Sequence, residues 1–327
     1  MNTDMQKIVP CLWFDSQCEE AMNFYVSAFS GLSGERQESK IISVMRYEKG
    51  METPGIEEMV GKVLTGVFEL EGYSFMALDG GPIFKLNPTV SFILNFDPSV
   101  NNDARKNLDL LWNRFTRGGK VLMELQKYPF SEHYGWIQDK YGVSWQLLLS
   151  DPAGEPRPFI VPSLLFTGDV SGKSEEAVNF YLSVFKNSRR GILERYPAGM
   201  EPDKEGTVMY SDFMIDDQWF AVMDSARMQG DSFNEAISFV VNCIDQDEVD
   251  KLWDNLSHVP ESEVCGWLKD KYGVSWQITP EKLGELLSDP DKEKAHRVLN
   301  TMLQMKKIVI KELELAVTGQ FHIESEK

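Results

Sequence analysis

Two periodicities of hydrophobic residues alternate along the chain, and they predict an alternation of strands and helices. The apolar run IVPCLWF (8–14) favours a strand. The next segment has helical spacing, carried by Ala21, Met22, Tyr25, Val26 and Phe29. VLTGVFELEGYSFMALD (63–79) then predicts two strands around a turn at Glu71-Gly72. A strand, a helix and further strands thus define a first predicted module.

The same order starts again at SFILNFD (91–97), which favours a strand. DARKNLDLLWNRF (103–115) predicts an amphipathic helix and GVSWQLLL (142–149) a final strand. GYSFMAL (72–78) and GVSWQLL (142–148) share Gly, Ser and an aromatic residue in register. Each stretch is therefore predicted to be a βαβββ module. Because one short module cannot bury both faces of its sheet, we expect modules to pair into curved sheets or half-barrels.

A duplication relates the two halves of the chain. SEHYGWIQDKYGVSWQ (131–146) and SEVCGWLKDKYGVSWQ (262–277) are identical at 12 of 16 positions. Two further pairs match in the same order: EEAMNFYVSAF (19–29) with EEAVNFYLSVF (175–185), and SFILNF (91–96) with SFVVNC (238–243). The chain is therefore predicted to contain four modules in two tandem domains.

The predicted domains span residues 1–150 and 159–282, and the loop DPAGEPRP (151–158), rich in Pro and Gly, joins them. A helical tail over residues 283–327 follows. In that tail VLNTMLQMKKI (298–308) has the spacing of one helix that caps the fold. The predicted fold class is α+β, with four βαβββ modules and a C-terminal helix.

Charge and composition restrict the partners. With 33 basic and 51 acidic residues the formal charge is 33 − 51 = −18, which argues against nucleic acid or an anionic membrane. The longest apolar stretches, such as FIVPSLLF (159–166), are too short to span a membrane, and the N-terminus lacks the pattern of a secretion signal. The four cysteines form no CxxC pair, so we expect reduced, buried thiols in a cytoplasmic protein.

Three segments carry a family resemblance: PCLWFDSQCEEAMNFY (10–25), SEHYGWIQDKYGVSWQ (131–146) and AHRVLNTMLQMKKI (295–308). They resemble the PhnB-like proteins, a branch of the vicinal oxygen chelate superfamily, also called the glyoxalase/bleomycin resistance/dioxygenase superfamily. The resemblance covers both repeats and the tail. It implies two tandem glyoxalase-like domains that imitate the homodimer of single-repeat relatives, as a monomeric pseudo-dimer or as a homodimer.

Enzymes of this superfamily usually hold a divalent metal through His, Glu or Gln on the first and last strands of paired modules. The last-strand position here carries Met76, Gln146, Ala221 and Gln277. The four first strands contain no His, Glu or Asp. Because a carboxamide is neutral and a weak ligand alone, no metal or other cofactor is predicted. A divalent metal is the alternative, which requires that residues such as Glu69 or Asp79 reach the cavity.

Proteins of this branch are often labelled demethylubiquinone methyltransferases. A typical methyltransferase needs a Gly-rich strand-to-helix turn for its cofactor. DGGP (79–82) follows a predicted strand but leads into Pro82 and no predicted helix. The residues therefore give that label no support.

Six residues are candidates for the lining of a ligand cavity: Gln146, Gln277, Trp136, Trp267, Ser144 and Ser275. Strand alternation places Ser144 and Gln146 on one face and Trp145 on the other. Gln146 either bonds a ligand inside the half-barrel or satisfies partners within the sheet. Trp145 and Trp276 are interpreted as core residues, whereas Trp136 and Trp267 suit either the core or the rim of a pocket. No catalytic residue is assigned.

The sequence favours a small-molecule-binding protein, with an apolar cavity lined by aromatic residues and a few polar groups. Sequestration of a drug or metabolite is a role that the resemblance implies, since bleomycin-binding members of the superfamily act in this way. The alternative is a metal-dependent enzyme of the glyoxalase or dioxygenase type, such as a lyase or isomerase. A methyltransferase is less favoured than either.

Overall fold

A computed structural model describes residues 6–32, 34, 37–49, 51, 56–228 and 230–319 of the chain. The fold is α+β and divides into two compact units. The main unit contains Pro10–Val44 and Thr65–Ile237. The C-terminal unit contains the described parts of Met1–Val9, Met45–Leu64 and Ser238–Lys327. No helix within the described ranges is both long and apolar enough to cross a membrane.

The strands and helices follow the predicted order of four modules. The first module contains β1 (Ile8–Phe14), α1 (Cys18–Phe29), β2 (Lys40–Arg46), α2 (Ile56–Met59), β3 (Val63–Leu70) and β4 (Tyr73–Asp79). The second contains β5 (Val90–Phe96), α3 (Ala104–Phe115), β6 (Lys120–Tyr128), β7 (Ser131–Gln138) and β8 (Ser144–Leu149). The third contains β9 (Ile160–Phe166), α4 (Ser174–Val184), β10 (Arg189–Arg195), β11 (Val208–Ile215) and β12 (Gln218–Asp224). The fourth contains β13 (Ile237–Cys243), α5 (Gln246–Leu256), β14 (Trp267–Lys269) and β15 (Ser275–Pro280).

The second and third modules pair into one eight-stranded sheet of the main unit, in the order β10-β11-β12-β9-β5-β8-β7-β6. The antiparallel strands β5 and β9 join the two modules, and Ser91 lies opposite Ser163 in that pair. One of these modules comes from each repeat, so the sheet combines strands of both repeats. The predicted pairing of modules is confirmed here. The domain boundaries at 1–150 and 159–282 stay predictions about the repeats.

The strands of the first module that belong to the main unit also show the predicted hairpin. Strand β1 runs parallel to β4, and β3 runs antiparallel to β4. The turn between β3 and β4 is at Glu71-Gly72, where φ is 51° and 82°. Positive φ at both central residues is the geometry of a tight hairpin turn, which explains the glycine.

The helix side of the eight-stranded sheet is an aromatic core. Trp145 of β8 is fully buried there, and its ring stacks on that of Phe115 of α3 with centroids 5.2 Å apart. Phe92 of β5 and Phe29 of α1 lie 5.3 and 5.8 Å from the same ring. The interpretation of Trp145 as a core residue is confirmed. Since side chains alternate across a strand, Gln146 points to the opposite face.

The fourth module, in the C-terminal unit, has one strand fewer than predicted. Strands β14, β15 and β13 lie side by side, but the segment between α5 and β14 forms only a short 3-10 helix at Pro260–Ser262. The offset between the repeats falls from 147 to 131 across this segment, a loss of 147 − 131 = 16 residues, so the counterpart of β6 is missing. Cys265, expected to be buried, is partly exposed. Its N–H and that of Gly266 donate to the tail carbonyls of Met305 and Lys306, both at 2.8 Å.

As far as Gly319 the tail folds as three helices, α6 (Glu281–Leu287), α7 (Lys292–Met302) and α8 (Ile310–Thr318). Residues 320–327 of the predicted tail lie outside the described residues. The single helix predicted over 298–308 is wrong, because α7 ends at Met302. Met305 and Ile308, the buried apolar residues after Met302, pack in a small core with residues of all three helices. The members of this core are Leu283, Val298, Met305, Ile308, Leu313 and Ala316.

Candidate functional site

The phrase DKYGVSWQ, present in both repeats, forms a turn that its own aspartate holds. Asp139 Oδ1 accepts hydrogen bonds from the N–H groups of Tyr141 and Val143, at 2.8 and 3.1 Å. Its Oδ2 accepts one from Trp145 Nε1 at 2.8 Å. Asp270 accepts the same three bonds in the second repeat, from Tyr272, Val274 and Trp276. The repeated residues therefore fix the strand that carries each candidate glutamine.

Gln146 is buried and bonded at both ends of its carboxamide. Its Oε1 accepts a hydrogen bond from the Tyr134 hydroxyl at 2.7 Å, and its Nε2 donates to Ser91 Oγ at 2.8 Å. Trp136 lies beside it in β7 and donates from Nε1 to Ser144 Oγ at 2.7 Å. Neighbours within the sheet thus orient three of the six candidate residues, Gln146, Trp136 and Ser144. The sequence left two roles open for Gln146, contact with a ligand or hydrogen bonding within the sheet. These bonds correspond to the second role.

Removal of the Tyr134 hydroxyl is expected to destabilise the main unit measurably. Tyr134→Phe leaves the buried Gln146 Oε1 without its donor, so we expect a loss of about 1–2 kcal/mol in the free energy of unfolding. Urea denaturation measures this loss. Tyr128→Phe is the control, because the Tyr128 hydroxyl bonds the Glu124 carbonyl at an exposed position. Equal stability of the two variants would contradict the proposed role of the Tyr134 bond.

An apolar surface surrounds this polar set on the face opposite the helices. We call it the Gln146 face. Its first cluster has three buried and six partly buried members: Tyr134, Trp136, Leu165, Leu122, Met123, Tyr128, Leu148, Met223 and Met228. Leu148 also packs against a second cluster of Ile93, Val161, Trp219 and Ala221. The two clusters therefore form one continuous surface across the sheet.

The sequence did not reveal most of this surface. The methionines Met123, Met223 and Met228 lie on β6, on β12 and after β12, so no local pattern connects them. One signal was available, namely the aromatic cluster Tyr128, Phe130 and Tyr134 within a short stretch. Phe130 stacks on Tyr128 with ring centroids 5.7 Å apart and is 61% exposed.

An ion pair borders the second cluster. Asp212 is buried, and its Oδ2 accepts a hydrogen bond from Arg157 Nε at 2.7 Å. The Arg157 guanidinium lies over the Trp219 ring, 4.0 Å from its centroid. The guanidinium of Arg189, an exposed residue, lies over the same ring at 4.7 Å. Asp212 is thus neutralised by a partner and is not an unpaired carboxylate facing the surface.

The donor set does not fit the divalent metal of the superfamily enzymes. No three His, Cys, Asp or Glu side chains in the described part of the chain are grouped so that they could hold a metal ion. Asp79 accepts a hydrogen bond from the Cys18 N–H at 2.9 Å, and Glu69 lies 3.8 Å from Lys40. His133 pairs with Asp109 of α3 at 2.6 Å, on the helix side of the sheet.

The corresponding residues of the second repeat lie in the C-terminal unit and are bonded differently. Gln277 Nε2 donates to Ser238 Oγ at 2.9 Å, as Gln146 does to Ser91. Cys265 stands in the position of Tyr134. Ser275 Oγ is buried without a hydrogen-bond partner among the described residues. Trp267 is half-buried and lies opposite Gln277 in the pair of β14 and β15.

The first glycine of DGGP (79–82) makes room for a tryptophan. A Cβ on Gly80 would collide with the ring of Trp13, and Trp13 Nε1 donates to the Gly81 carbonyl at 2.7 Å. The chain then leads to β5 without a helix. This turn lacks the helix N-terminus and the open backbone that a nucleotide cofactor requires. This turn is therefore not a nucleotide-binding loop of that kind.

Comparison with protein-family models agrees with the duplicated architecture. The family model described as 3-demethylubiquinone-9 3-methyltransferase matches residues 6–148 and 158–279. The PhnB protein from Bacillus cereus is 36% identical, with a TM-score of 0.37, over 44% of this chain and 100% of its own. Protein PA1353 from Pseudomonas aeruginosa is 21% identical, with a TM-score of 0.36, over 45% and 98%. Glyoxalase I from Zea mays is 12% identical, with a TM-score of 0.44, over 82% and 92%.

No curated protein sequence matches the chain. The two segments matched by the family model correspond to the two repeats and together cover most of the chain. The chain therefore belongs to the family described as 3-demethylubiquinone-9 3-methyltransferase, and it carries the family domain twice.

Proposed function

We propose that the chain binds an apolar, planar small molecule on the Gln146 face of the main unit. The observation that carries this proposal is the group of partly buried methionine and aromatic side chains there: Met123, Tyr128, Met223 and Met228. Ligand sites are typically apolar surfaces with a few fixed polar groups. Methionine adapts its shape to a ligand, and aromatic rings stack on a planar one.

The polar residues of this face support binding rather than a reaction. The Tyr134 hydroxyl, the Gln146 carboxamide and the Trp136 indole N–H already have partners within the sheet. Such groups provide a rigid, neutral floor. A protein that sequesters a compound needs shape and apolar area, and it does not need an activated nucleophile or base. The candidates Gln146, Trp136 and Ser144 are accordingly proposed as the floor of the site.

Binding of 1-anilinonaphthalene-8-sulfonate, followed by its fluorescence, tests the proposal. We expect saturable binding to the full chain. Phe130→Ala should weaken it about tenfold, which corresponds to about 1.4 kcal/mol, because the ring extends the stacked surface. Val100→Ala is the matched control, since Val100 is 58% exposed and lies outside both clusters. Equal affinities of the two variants would place the probe elsewhere and reject the proposed site.

The family name makes methyl transfer a second candidate function. Its test is simple, because a protein that binds S-adenosylmethionine unfolds at a higher temperature in its presence. The DGGP turn packs on Trp13, so we expect no rise in the unfolding temperature at millimolar S-adenosylmethionine. A rise of several degrees would favour the methyltransferase over the simple binder.

A further inference from the structure

A small cavity of the C-terminal unit, which we call the Met51 cavity, lies between α7 and the chain around the end of β2. Its volume is about 30 Å³, which is room for one ion or one water molecule. Met45 of β2 and the following residues Glu48 and Met51 line it together with Lys292 and His296 of α7. Two methionines and a histidine from distant parts of the sequence therefore border the same space.

Glu48 determines which nitrogen of the histidine can bind a ligand. Lys292 Nζ lies 3.0 Å from Glu48 Oε1, and the hydrogen bond from Lys292 lowers the pKa of the Glu48 carboxyl. The ionised carboxylate only accepts hydrogen bonds, and its Oε2 is 3.2 Å from His296 Nε2. The Nε2 atom therefore carries a hydrogen, and Nδ1 of the neutral imidazole presents the lone pair. Metal-binding histidines typically donate their other ring N–H to a carboxylate in this way.

The loop after β2 holds one of the two thioethers. Met51 Sδ accepts a hydrogen bond from the Glu48 N–H at 3.4 Å, and the Met51 N–H donates to the Glu48 carbonyl at 3.4 Å. A thioether sulfur has two lone pairs, so one is left for a ligand. Met45 is partly buried, and the three rotatable bonds of a methionine side chain let its sulfur adjust to an ion.

We infer that the Met51 cavity binds the monovalent soft cation Cu(I) through Met45 Sδ, Met51 Sδ and His296 Nδ1. Thioethers are soft ligands that select Cu(I), and imidazole also suits copper. Charge favours the same ion, because Glu48 and Lys292 neutralise each other and leave no carboxylate free for a divalent ion. The site belongs to the C-terminal unit, so it does not depend on the ligand proposed for the Gln146 face of the main unit.

Hydrophobic packing alone does not require sulfur at these positions. Met51 packs with Tyr47 and Leu299 in a buried cluster, where a leucine of similar volume would also fit. A change from methionine to leucine therefore keeps the packing and removes only the ligand atom. This property makes the inference testable without loss of the fold.

A titration with Cu(I), kept reduced by ascorbate without oxygen, tests the inference. The full chain carries the change Cys265→Ser, because the thiol of Cys265 is partly exposed and would itself bind Cu(I). With ¹³C-labelled methionine methyl groups, we expect one equivalent of Cu(I) to shift the signals of Met45 and Met51. The signal of Met302, which belongs to the same apolar cluster but does not line the cavity, should stay in place. No shift at Met45 and Met51 would overturn the inference.

Matched variants in the same Cys265→Ser background measure the affinity by competition with bicinchoninate, a coloured chelator of Cu(I). Met45→Leu and Met51→Leu should each weaken Cu(I) binding at least tenfold, while Met302→Leu should leave it unchanged. His296→Gln should weaken it by a similar factor, and the unfolding curve of each variant without metal shows that the fold is retained. Unchanged affinity in Met45→Leu and Met51→Leu, or Zn²⁺ binding at the same signals as tight as that of Cu(I), would overturn the assignment.

Discussion

Replacement of Trp145 by alanine should cost about 3–5 kcal/mol in the free energy of unfolding. The side chain is fully buried and contacts rings on both sides, among them Phe115 and Phe92. Its loss leaves a large cavity in the helix-side core. It also removes the N–H donor of the buried Asp139 Oδ2. Denaturant unfolding of the main unit, followed by circular dichroism, measures the effect.

Two control variants separate these causes. Trp145→Phe keeps most of the ring but not the N–H group, so we expect a smaller loss of about 1–3 kcal/mol. Glu132→Ala changes an exposed residue of the same repeated block, whose ion pair with Lys127 is on the surface, and should alter stability by less than about 0.5 kcal/mol. A Trp145→Ala variant as stable as Glu132→Ala would contradict the assignment of Trp145 to the core.

Asp139 should make the stability of the main unit fall as the pH rises from about 4 to above 6. Burial raises the pKa of this carboxyl from 3.8 to about 6, although three hydrogen bonds from N–H groups oppose the shift. The folded state then binds the proton more tightly than the unfolded state. The stabilisation is complete below the unfolded pKa near 4 and is lost as the pH rises through about 6. Its full size is about 3 kcal/mol, at about 1.4 kcal/mol for each pKa unit.

Asp139→Asn isolates this contribution. The asparagine Oδ1 still accepts from Tyr141 and Val143, but its Nδ2 faces the Trp145 N–H as a second donor. At low pH we therefore expect the variant to be less stable than the native protein by about 1–3 kcal/mol. This disadvantage should shrink as the pH rises through 6. Parallel pH curves for the two proteins, or a carboxyl ¹³C midpoint for Asp139 below pH 4.5, would contradict the account.

Much of the fold follows from local patterns. Side chains alternate along SWQ in β8, so Trp145 is predicted on one face of the strand and Ser144 and Gln146 on the other. Only one of these faces packs on helices. Glu71-Gly72 indicates the turn between β3 and β4, because the turn needs positive φ and glycine adopts it readily. The tail shows the limit of such reasoning. Met305 and Ile308 continue a helical pattern, yet they are buried in an inter-helix segment that packs on α8.

The candidate site was predictable only in part, because its bonds join distant strands. The partner of Gln146 Nε2 is Ser91, 55 residues away, and no sequence period connects the two. The difference between Tyr134 and Cys265 was visible in the repeated block. The effect of this difference on hydrogen bonding depends on the register of β7 against β8, which places Tyr134 near Gln146. The apolar surface requires the pairing of modules from both repeats, which the order of elements does not specify.

The most direct test of the proposed function uses protein labelled with ¹³C in the methionine methyl groups. The measurement is a titration with 1-anilinonaphthalene-8-sulfonate, in which the signals are assigned by single substitutions. If the Gln146 face binds the probe, the methyl signals of Met123, Met223 and Met228 will shift together and saturate, while those of Met22 and Met302 stay in place. Shifts confined to other methionines, or no saturable shift at Met123, Met223 and Met228, would contradict the proposed binding site.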